Sequence, residues 1–500
     1  MKALLIYPKY PDTTFWGFKY ALPFIRRKAA FPPLGLLTVA AMLPEGWTLK
    51  LVDLNVMQLT DAHIEWSDIV LISAMLVQKE SAQQIINLAK SKGKTVVAGG
   101  PAFMASHEKF SGVDHFVLNE AEITLPFFLH DLQAGEAKRV YKSDKRPDIK
   151  TTPIPLWRLI KLKDYATMAI QYSRGCPYNC EFCDIIIMNG RIQRTKTPEQ
   201  IVKELQALYD AGWRESVFIV DDNFIGNNKK VKKMLPEIIK WQKKHGYKFR
   251  LFTEASMNLA SDEELLGLMS QANFNKVFLG IETPNVESLK ECGKVQNINI
   301  DMAEAVRKIN NYGIQVMGGF IVGFDSDTEN IFNSLVEFIQ SAGIVTAMVG
   351  MLEALPETRL WKRLKAEGRL LQDTTGENTD GTLNFIPKMD MNKLINGYKM
   401  VVAKIYSRKT FYQRIETFIK DFTPRAKTRL TRAEFDAFIR SFWRIGLFSR
   451  SSPYYIMLII KTMITKAKAL PTAIELAIYG EHFQKIAKKF NNKNLRQSGF

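Results

Sequence analysis

Gln171 to Asp184 reads QYSRGCPYNCEFCD and sets Cys176, Cys180 and Cys183 in a C-x3-C-x2-C array. Three thiolates within eight residues can serve one metal centre. Iron-sulfur clusters are held by Cys thiolates, usually four, so a set of three leaves one iron open to a ligand that is not protein. Structural zinc is the competing use of clustered cysteines; it normally shows a second Cys or His pair, and no spacing in this chain supplies one. The remaining cysteine, Cys292 in SLKECGKV, lies on a helical pattern and reads as a small buried hydrophobe. No pair among the six histidines has metal-ligand spacing, and no Ser-His-Asp arrangement can be argued.

Downstream of the array, apolar strands and helical patterns alternate to about Leu371. Strands are expected at Thr167 to Tyr172, Ser216 to Val220, Phe249 to Thr253, Lys276 to Ile281, Gln315 to Ile321 and Val345 to Met351. A helix start is marked at Thr197, which can cap, with Pro198, Glu199 and Gln200 filling the first turn. Six βα units suit a partial (β/α)6 barrel, whose chemistry gathers at the carboxyl ends of the strands, and the cysteine loop follows the first of them. Three acidic features share that end: Asp221 and Asp222 in VDDNF, Glu254, and Glu282 in FLGIETPN. Paired acids there can bind an ammonium group, coordinate a cation or cap the next helix, and a lone acid can equally be a solvated surface residue.

Upstream, residues 1–132 also alternate strand and helix, the pattern of a Rossmann-like parallel sheet covered by helices. Strands are expected at Ala3 to Tyr7, Thr48 to Asp53, Ile69 to Ser73, Thr95 to Ala98 and His115 to Val117, with helices near Leu34 to Met42 and Ser81 to Ser91. Ligands on such sheets bind beyond the carboxyl ends of the strands, which makes Asp53, Ser73, Gly99 and Gly100 candidate contacts. Two adjacent glycines permit close backbone approach to a ligand, although they also serve ordinary turns. Residues 133–160 are polar, basic and interrupted by Pro147, Pro153 and Pro155, so a linker is expected before a barrel domain over 161–388.

The net charge of +18 is concentrated at the other end: residues 391–500 hold 22 Lys and Arg against six Asp and Glu. A basic helical domain is expected over 389–500, with aromatic residues interleaved. It can form a helical cap, cover the barrel mouth, grip nucleic acid or lie peripherally on an anionic membrane, and its bulky apolar residues favour the membrane among the functional uses. No apolar run reaches the ~18 residues of a membrane span. Four cysteines, three of them clustered, do not make a disulfide framework, and the opening MKALLIYPKY is too soon interrupted for a signal peptide, so a cytoplasmic setting is expected.

The cysteine array, with the aromatic Phe182 just before its last Cys, resembles the signature of the radical S-adenosylmethionine (SAM) enzymes. That resemblance implies a [4Fe-4S] cluster whose open iron chelates the amino and carboxylate groups of SAM and whose reduced form cleaves it to a 5′-deoxyadenosyl radical. It also implies that Asp221 and Asp222 hold the SAM amine, that Glu254 and Glu282 accept hydrogen bonds from the ribose or amine, and that Gly319, in GGFIVGFDSDT, packs on adenine. The order of FPPLGLL at Phe31 to Leu37, VVAGGP at Val96 to Pro101 and then the array resembles the cobalamin-binding subclass. The loop after the first strand, PKYPDTTFWG, has no His, so any cobalt there would lack a protein imidazole; a Rossmann-like domain that binds nothing is the alternative.

The whole pattern, including ALPETRLW at Ala354 to Trp361, is similar to the cobalamin-binding radical SAM group that contains the hopanoid C-2 methylase. The likeness implies methylation of an unactivated carbon of a lipid-like substrate: the deoxyadenosyl radical removes hydrogen, methylcobalamin delivers the methyl group and a second SAM restores it, with a reducing electron donor as partner. A non-methylating radical cyclase or coupling enzyme is the alternative. A tRNA methylthiotransferase would need three further N-terminal cysteines, and none precedes Cys176, which argues against a nucleic-acid substrate.

Overall fold

A computed structural model describes residues 1–12, 14–377, 379–425, 427 and 431–494. Six strands open the chain: β1 (Lys2–Tyr7), β2 (Thr48–Asp53), β3 (Ile69–Ser73), β4 (Thr95–Gly99), β5 (His115–Val117) and β6 (Val140–Tyr141). All pairings are parallel, in the order β2-β1-β3-β4-β5-β6. The strands read as near-continuous apolar runs because both faces of the sheet are covered, one core forming on each side. The last strand lies inside the stretch expected to be a linker. Val140 and Tyr141 add to the sheet edge beside Phe116 and Val117, so backbone pairing overrides a polar, Pro-interrupted sequence.

The second sheet begins with β7 (Met168–Ile170), followed by a hairpin of β8 (Ser173–Arg174) and β9 (Arg194–Thr195). It continues with β10 (Ser216–Ile219), β11 (Arg250–Ala255), β12 (Phe274–Glu282), β13 (Gln315–Val322) and β14 (Ala347–Met351). Excluding the hairpin, the strands run parallel in sequence order from β7 to β14, which is the six-stranded partial barrel. The first strand is shorter than expected because the Asp221 carboxylate takes the Tyr172 N–H (2.8 Å) and the Ser173 hydroxyl (2.5 Å), which turns the chain out of the ladder and into the cysteine loop. The helix Pro198–Asp210 starts where its cap predicts: Thr197 Oγ1 accepts from Gln200 N, and Gln200 Oε1 from Thr197 N.

Along β10 to β12, alternate residues face the core and the barrel interior. Val217, Ile219, Leu251, Thr253, Val277 and Leu279 are fully buried, while Phe218, Phe252, Glu254 and Phe278 are half-buried on the inner face. The first sheet's domain also closes the barrel's open edge. Its segment at residues 28–30 runs beside the residues leading into β7, with Ala166 N on Ala29 O and Thr167 N on Ala30 O, and this sets Phe31 against Phe218 with ring centroids 5.5 Å apart.

Helices Met391–Ile405, Arg408–Asp421, Arg432–Ser441, Ser452–Lys466 and Leu470–Asn494 form the C-terminal region. It packs on the amino ends of the barrel strands. Fully buried Arg414 donates to Val345 O, Ile405 O and Gln340 Oε1, Tyr406 Oη bonds Ala347 O, and Glu475 pairs with Lys276 near the start of β12. The C-terminal region therefore floors the barrel rather than covering its mouth. One continuous buried cluster joins barrel and C-terminal helices.

Candidate active site

Gly175 begins the cysteine loop with φ +95°, and a Cβ there would lie 2.8 Å from Gly190 O and 2.9 Å from Ile192 O, so only glycine lets the loop pass this close to its neighbour. Cys176 N then bonds Gly190 O, Glu181 N bonds Cys292 O and Leu360 N bonds Glu181 O, which tie the loop to three parts of the barrel. Cys292 is buried at the end of the helix Val286–Glu291 and contributes its carbonyl, not its sulfur, to the site. Among the described residues no three His, Cys, Asp or Glu side chains converge on one ion-sized point. A mononuclear zinc site would need such convergence, whereas an iron-sulfur cluster spreads its thiolates over separate irons.

Burial raises all three thiols in the cluster-free protein, and the polar groups beside the sulfurs act against that rise. Asn223 Nδ2 lies 3.9 Å from Cys176 Sγ and Gln296 Nε2 lies 3.9 Å from Cys180 Sγ, both amide donors. Burial works against the Lys294 ammonium, but Glu282 and the nearby thiols Cys180 and Cys183 outweigh it and hold the group above its ordinary range. Glu282 sits at φ +67° in a β-bulge and is 2.6 Å from Lys294 Nζ, so its carboxylate is spent on that lysine rather than open to a ribose. Phe182 packs against Phe324 with ring centroids 6.2 Å apart and planes tilted by 57°.

The carboxylates at the strand ends divide by partner. Asp221 is buried and fully engaged by Tyr172 and Ser173; burial lifts it to about 7 against those bonds. Asp222 accepts from Gly175 N (3.1 Å) and Asn189 Nδ2 (2.9 Å), so it braces the cysteine loop, and burial raises it too. Among the described residues the Glu254 carboxyl has no hydrogen-bonding or cationic partner. Burial, and then the charges of Asp222 and Asp221, push it up to about 8. A half-buried carboxyl left without a donor is the group in this mouth best placed for an ammonium or hydroxyl ligand. At Gly319 a Cβ would lie 2.8 Å from Phe278 Cζ, so the absence of a side chain there makes room for the Phe278 ring.

Between the two sheets lies a cavity of about 390 Å³. Ser73, Gly99, Gly100 and Asn119 line it from the first domain, and Gln171, Arg174, Asn189 and Val220 from the barrel mouth. Gly100 has φ +93°, and a Cβ there would come within 2.6 Å of Ser73 Oγ. Asn119 Oδ1 is buried and has no partner among the described residues, so it can accept from a ligand donor. Asp53 is not among the lining residues: it is 1% exposed, accepts from Asn55 and from Tyr165 Oη (3.0 Å), and braces the domain against the barrel.

Arg174, two residues before Cys176, is the feature that sequence reasoning missed. It grips Glu120 at 2.7 Å and Glu122 at 2.8 Å on the segment after β5, and Arg194 of β9 also holds Glu120 at 2.9 Å. These largely buried ion pairs lock the glycine-walled cavity to the cysteine loop. Their partners lie more than fifty residues apart, so no local spacing signals them.

Residues 170–339 match the Radical SAM superfamily, residues 23–129 the B12 binding domain, and residues 358–495 a domain of unknown function, DUF4070. The chain is 45% identical to an uncharacterized methyltransferase of Synechocystis sp. over 86% of its own length and 80% of that protein's. It is 36% identical to the hopanoid C-2 methylase of Rhodopseudomonas palustris over 83% of its own length and 79% of that enzyme's. The chain belongs to the cobalamin-binding radical SAM family. Its fold also matches solved members at low identity: the radical SAM methyltransferase TsrM from Kitasatospora setae (TM-score 0.64, 15% identical, 91% of this chain and 98% of that one), and the cobalamin-dependent radical enzyme OxsB (TM-score 0.63, 16%, 99% and 81%). As a family member the chain uses SAM and cobalamin, and a [4Fe-4S] cluster is typical of the family. The residues present fit those groups: three thiolates beside amide donors, an unpartnered carboxyl in the mouth, and a glycine wall with an unpartnered acceptor in the cavity next to it.

Proposed function

We propose that the protein is a cobalamin-dependent radical SAM methyltransferase acting on an unactivated carbon of a lipid-like substrate, a hopanoid or another polycyclic lipid. One observation carries the reading: a single cavity is walled by the glycine turn of the first domain and by the strand ends that bear the cysteine loop, so two cofactors would meet over one substrate. When bound, the cluster with SAM supplies hydrogen abstraction and cobalamin supplies the methyl group. Cys176, Cys180 and Cys183 would hold the cluster, with Lys294, Asn223 and Gln296 stabilising their charge. Glu254 would take the SAM amine or ribose, while Asp221 and Asp222 position the loop. Ser73, Gly99, Gly100 and Asn119 would contact cobalamin.

The interior below the mouth suits an apolar body. Phe218 and Phe252 stack at 4.6 Å, Phe31 closes on both, and Phe278 and Gly319 continue the same inner face. Such an apolar wall would help to exclude water from a reactive centre and would present ring faces to a rigid hydrocarbon. The curated relative that acts on hopanoids supports the substrate class. A reducing cytoplasm, with the enzyme peripheral to the membrane and served by an electron donor, suits unpaired cysteines and a lipid substrate.

The test is anaerobic incubation of the reconstituted protein with a reductant, hopanoid or membrane lipid extract, and SAM carrying a deuterated methyl group. The expected result is a lipid whose mass rises by one labelled methyl. Formation of 5′-deoxyadenosine with no labelled lipid, by protein that retains no cobalt, would overturn the reading in favour of a non-methylating radical enzyme.

A further inference from the structure

The helix Ser452–Lys466 is apolar on both sides. Tyr455, Leu458 and Thr462 are 0–2% exposed and pack inward. On the opposite face Ile456, Met457, Ile460, Met463 and Ile464, spaced i, i+1, i+4, i+7 and i+8, stand in solvent, Ile464 at 80% exposure. A surface helix of a globular protein normally reverses this pattern, with charges outward. The neighbouring helix Arg432–Ser441 repeats the oddity: Phe435, Ile439 and the following Phe442, at i, i+4 and i+7, are exposed while Ala437 and Ser441 are buried. The two helices are joined by a buried bond between Ser441 Oγ and Tyr455 Oη (2.7 Å). The turn between them carries Trp443 and Phe448, 55% and 80% exposed and stacked on each other rather than on the core.

Exposed apolar patches on this scale mark a surface that another phase or molecule covers. The charge around the patch identifies it. Residues 431–469 hold seven Lys and Arg against two acids, and one of those acids, Glu434, is already paired with Arg250. No helix among the described residues is long and apolar enough to cross a membrane, and Ser452–Lys466 has 15 residues where a span needs ~20. An outward apolar stripe of bulky side chains, aromatic rings at its turn and a basic surround are the features of helices that lie in the plane of an anionic bilayer.

We infer that the outer faces of Arg432–Ser441 and Ser452–Lys466, with Trp443 and Phe448 between them, dock the protein in the plane of an anionic phospholipid surface. Both helices belong to the C-terminal region that packs on the amino ends of the barrel strands, Glu434 pairing with Arg250 at the start of β11 and Lys466 donating to Ile419 O and Lys420 O. The inference rests on the lipid-substrate reading for its use, but binding is measurable without turnover.

The experiment is flotation of the full-length protein with vesicles of phosphatidylcholine alone and of phosphatidylcholine mixed with phosphatidylglycerol. The wild type is expected to float with the anionic vesicles only. Ile460→Ser/Ile464→Ser and Trp443→Ser/Phe448→Ser should each bind roughly tenfold or more weakly. Arg450→Glu/Lys468→Glu should lose the dependence on anionic lipid. These side chains are exposed, so unchanged circular dichroism and unchanged labelled-methyl transfer to detergent-dispersed lipid are expected in all three. Failure of the wild type to float, or equal flotation of wild type and the apolar-face variants, would overturn the inference. So would a wild-type dimer in sedimentation that the same variants dissociate, since a second copy would then be what covers the face. Retained flotation with no methyl transfer would instead reject the substrate reading and leave the docking face standing.

Discussion

Cys180 and Cys292 lie close enough in the fold that burial and the charge of one bear on the other, yet they have different expected fates. Cys180→Ala should lose most of the iron and the visible absorption of the reconstituted protein, and Cys292→Ala should keep both, because only the Cys292 carbonyl serves the site. Glu254 provides a pH test. Its folded pKa of about 8 exceeds the ordinary carboxyl value, so the folded state without cofactors binds more protons than the unfolded chain between those values, and stability falls as pH rises through that window. Glu254→Gln should therefore flatten the decline of Tm between about pH 5 and pH 8 in cofactor-free protein while weakening SAM binding. A Tm profile identical to wild type would place the carboxyl in ordinary solvent. Asp221→Ala, by contrast, strips the acceptor from a buried Tyr172 N–H and should cost ~1–3 kcal/mol of stability, a cost that shrinks as pH rises to about 7 because burial disfavours the ionised wild-type carboxyl.

At the scale of elements, the turn after β4 and the hairpin β8–β9 position the two halves of the site. Gly100→Ala would force a left-handed φ on an alanine and drive its Cβ onto Ser73 Oγ. Cobalt per chain should fall in protein purified with cobalamin supplied, while iron per chain holds, and equal loss of both metals would show instead that the whole domain had unfolded. Such a turn was legible, since two glycines at a strand end permit close approach. The Arg174 clamp was not. Arginine in SRGC carries no local pattern, and its acidic partners come from another domain, so only the folded chain pairs them. The same applies to Lys294, which reads as one basic residue among many until β12 bulges and brings Glu282 beside it.

For the whole molecule, the continuous core joining barrel and C-terminal helices makes the basic third of the chain structural as well as amphipathic. A chain ending at residue 388 would expose the contacts of Arg414, Tyr406 and Glu475 at the barrel floor, and it should be recovered as aggregate or lose cooperative unfolding, as followed by circular dichroism. Recovery of a soluble barrel with native iron content would mean that the floor is dispensable.

The order of domains, nearly every strand, the cysteine array and the Thr197 cap followed from sequence alone, because each depends on local spacing: period-two apolar runs, three thiolates in one loop, a capping residue before a helix. What depends on which distant groups meet required the tertiary structure. Asp53, Asp221 and Glu282 looked alike as acids at strand ends, yet Tyr165, Ser173 and Lys294 engage them and leave Glu254 open. The C-terminal bases and aromatics were equally compatible with lid and floor, and the buried Arg414 decided for the floor, since the carbonyls of Val345 and Ile405 that its guanidinium bonds lie at the amino end of β14 and in the C-terminal helices.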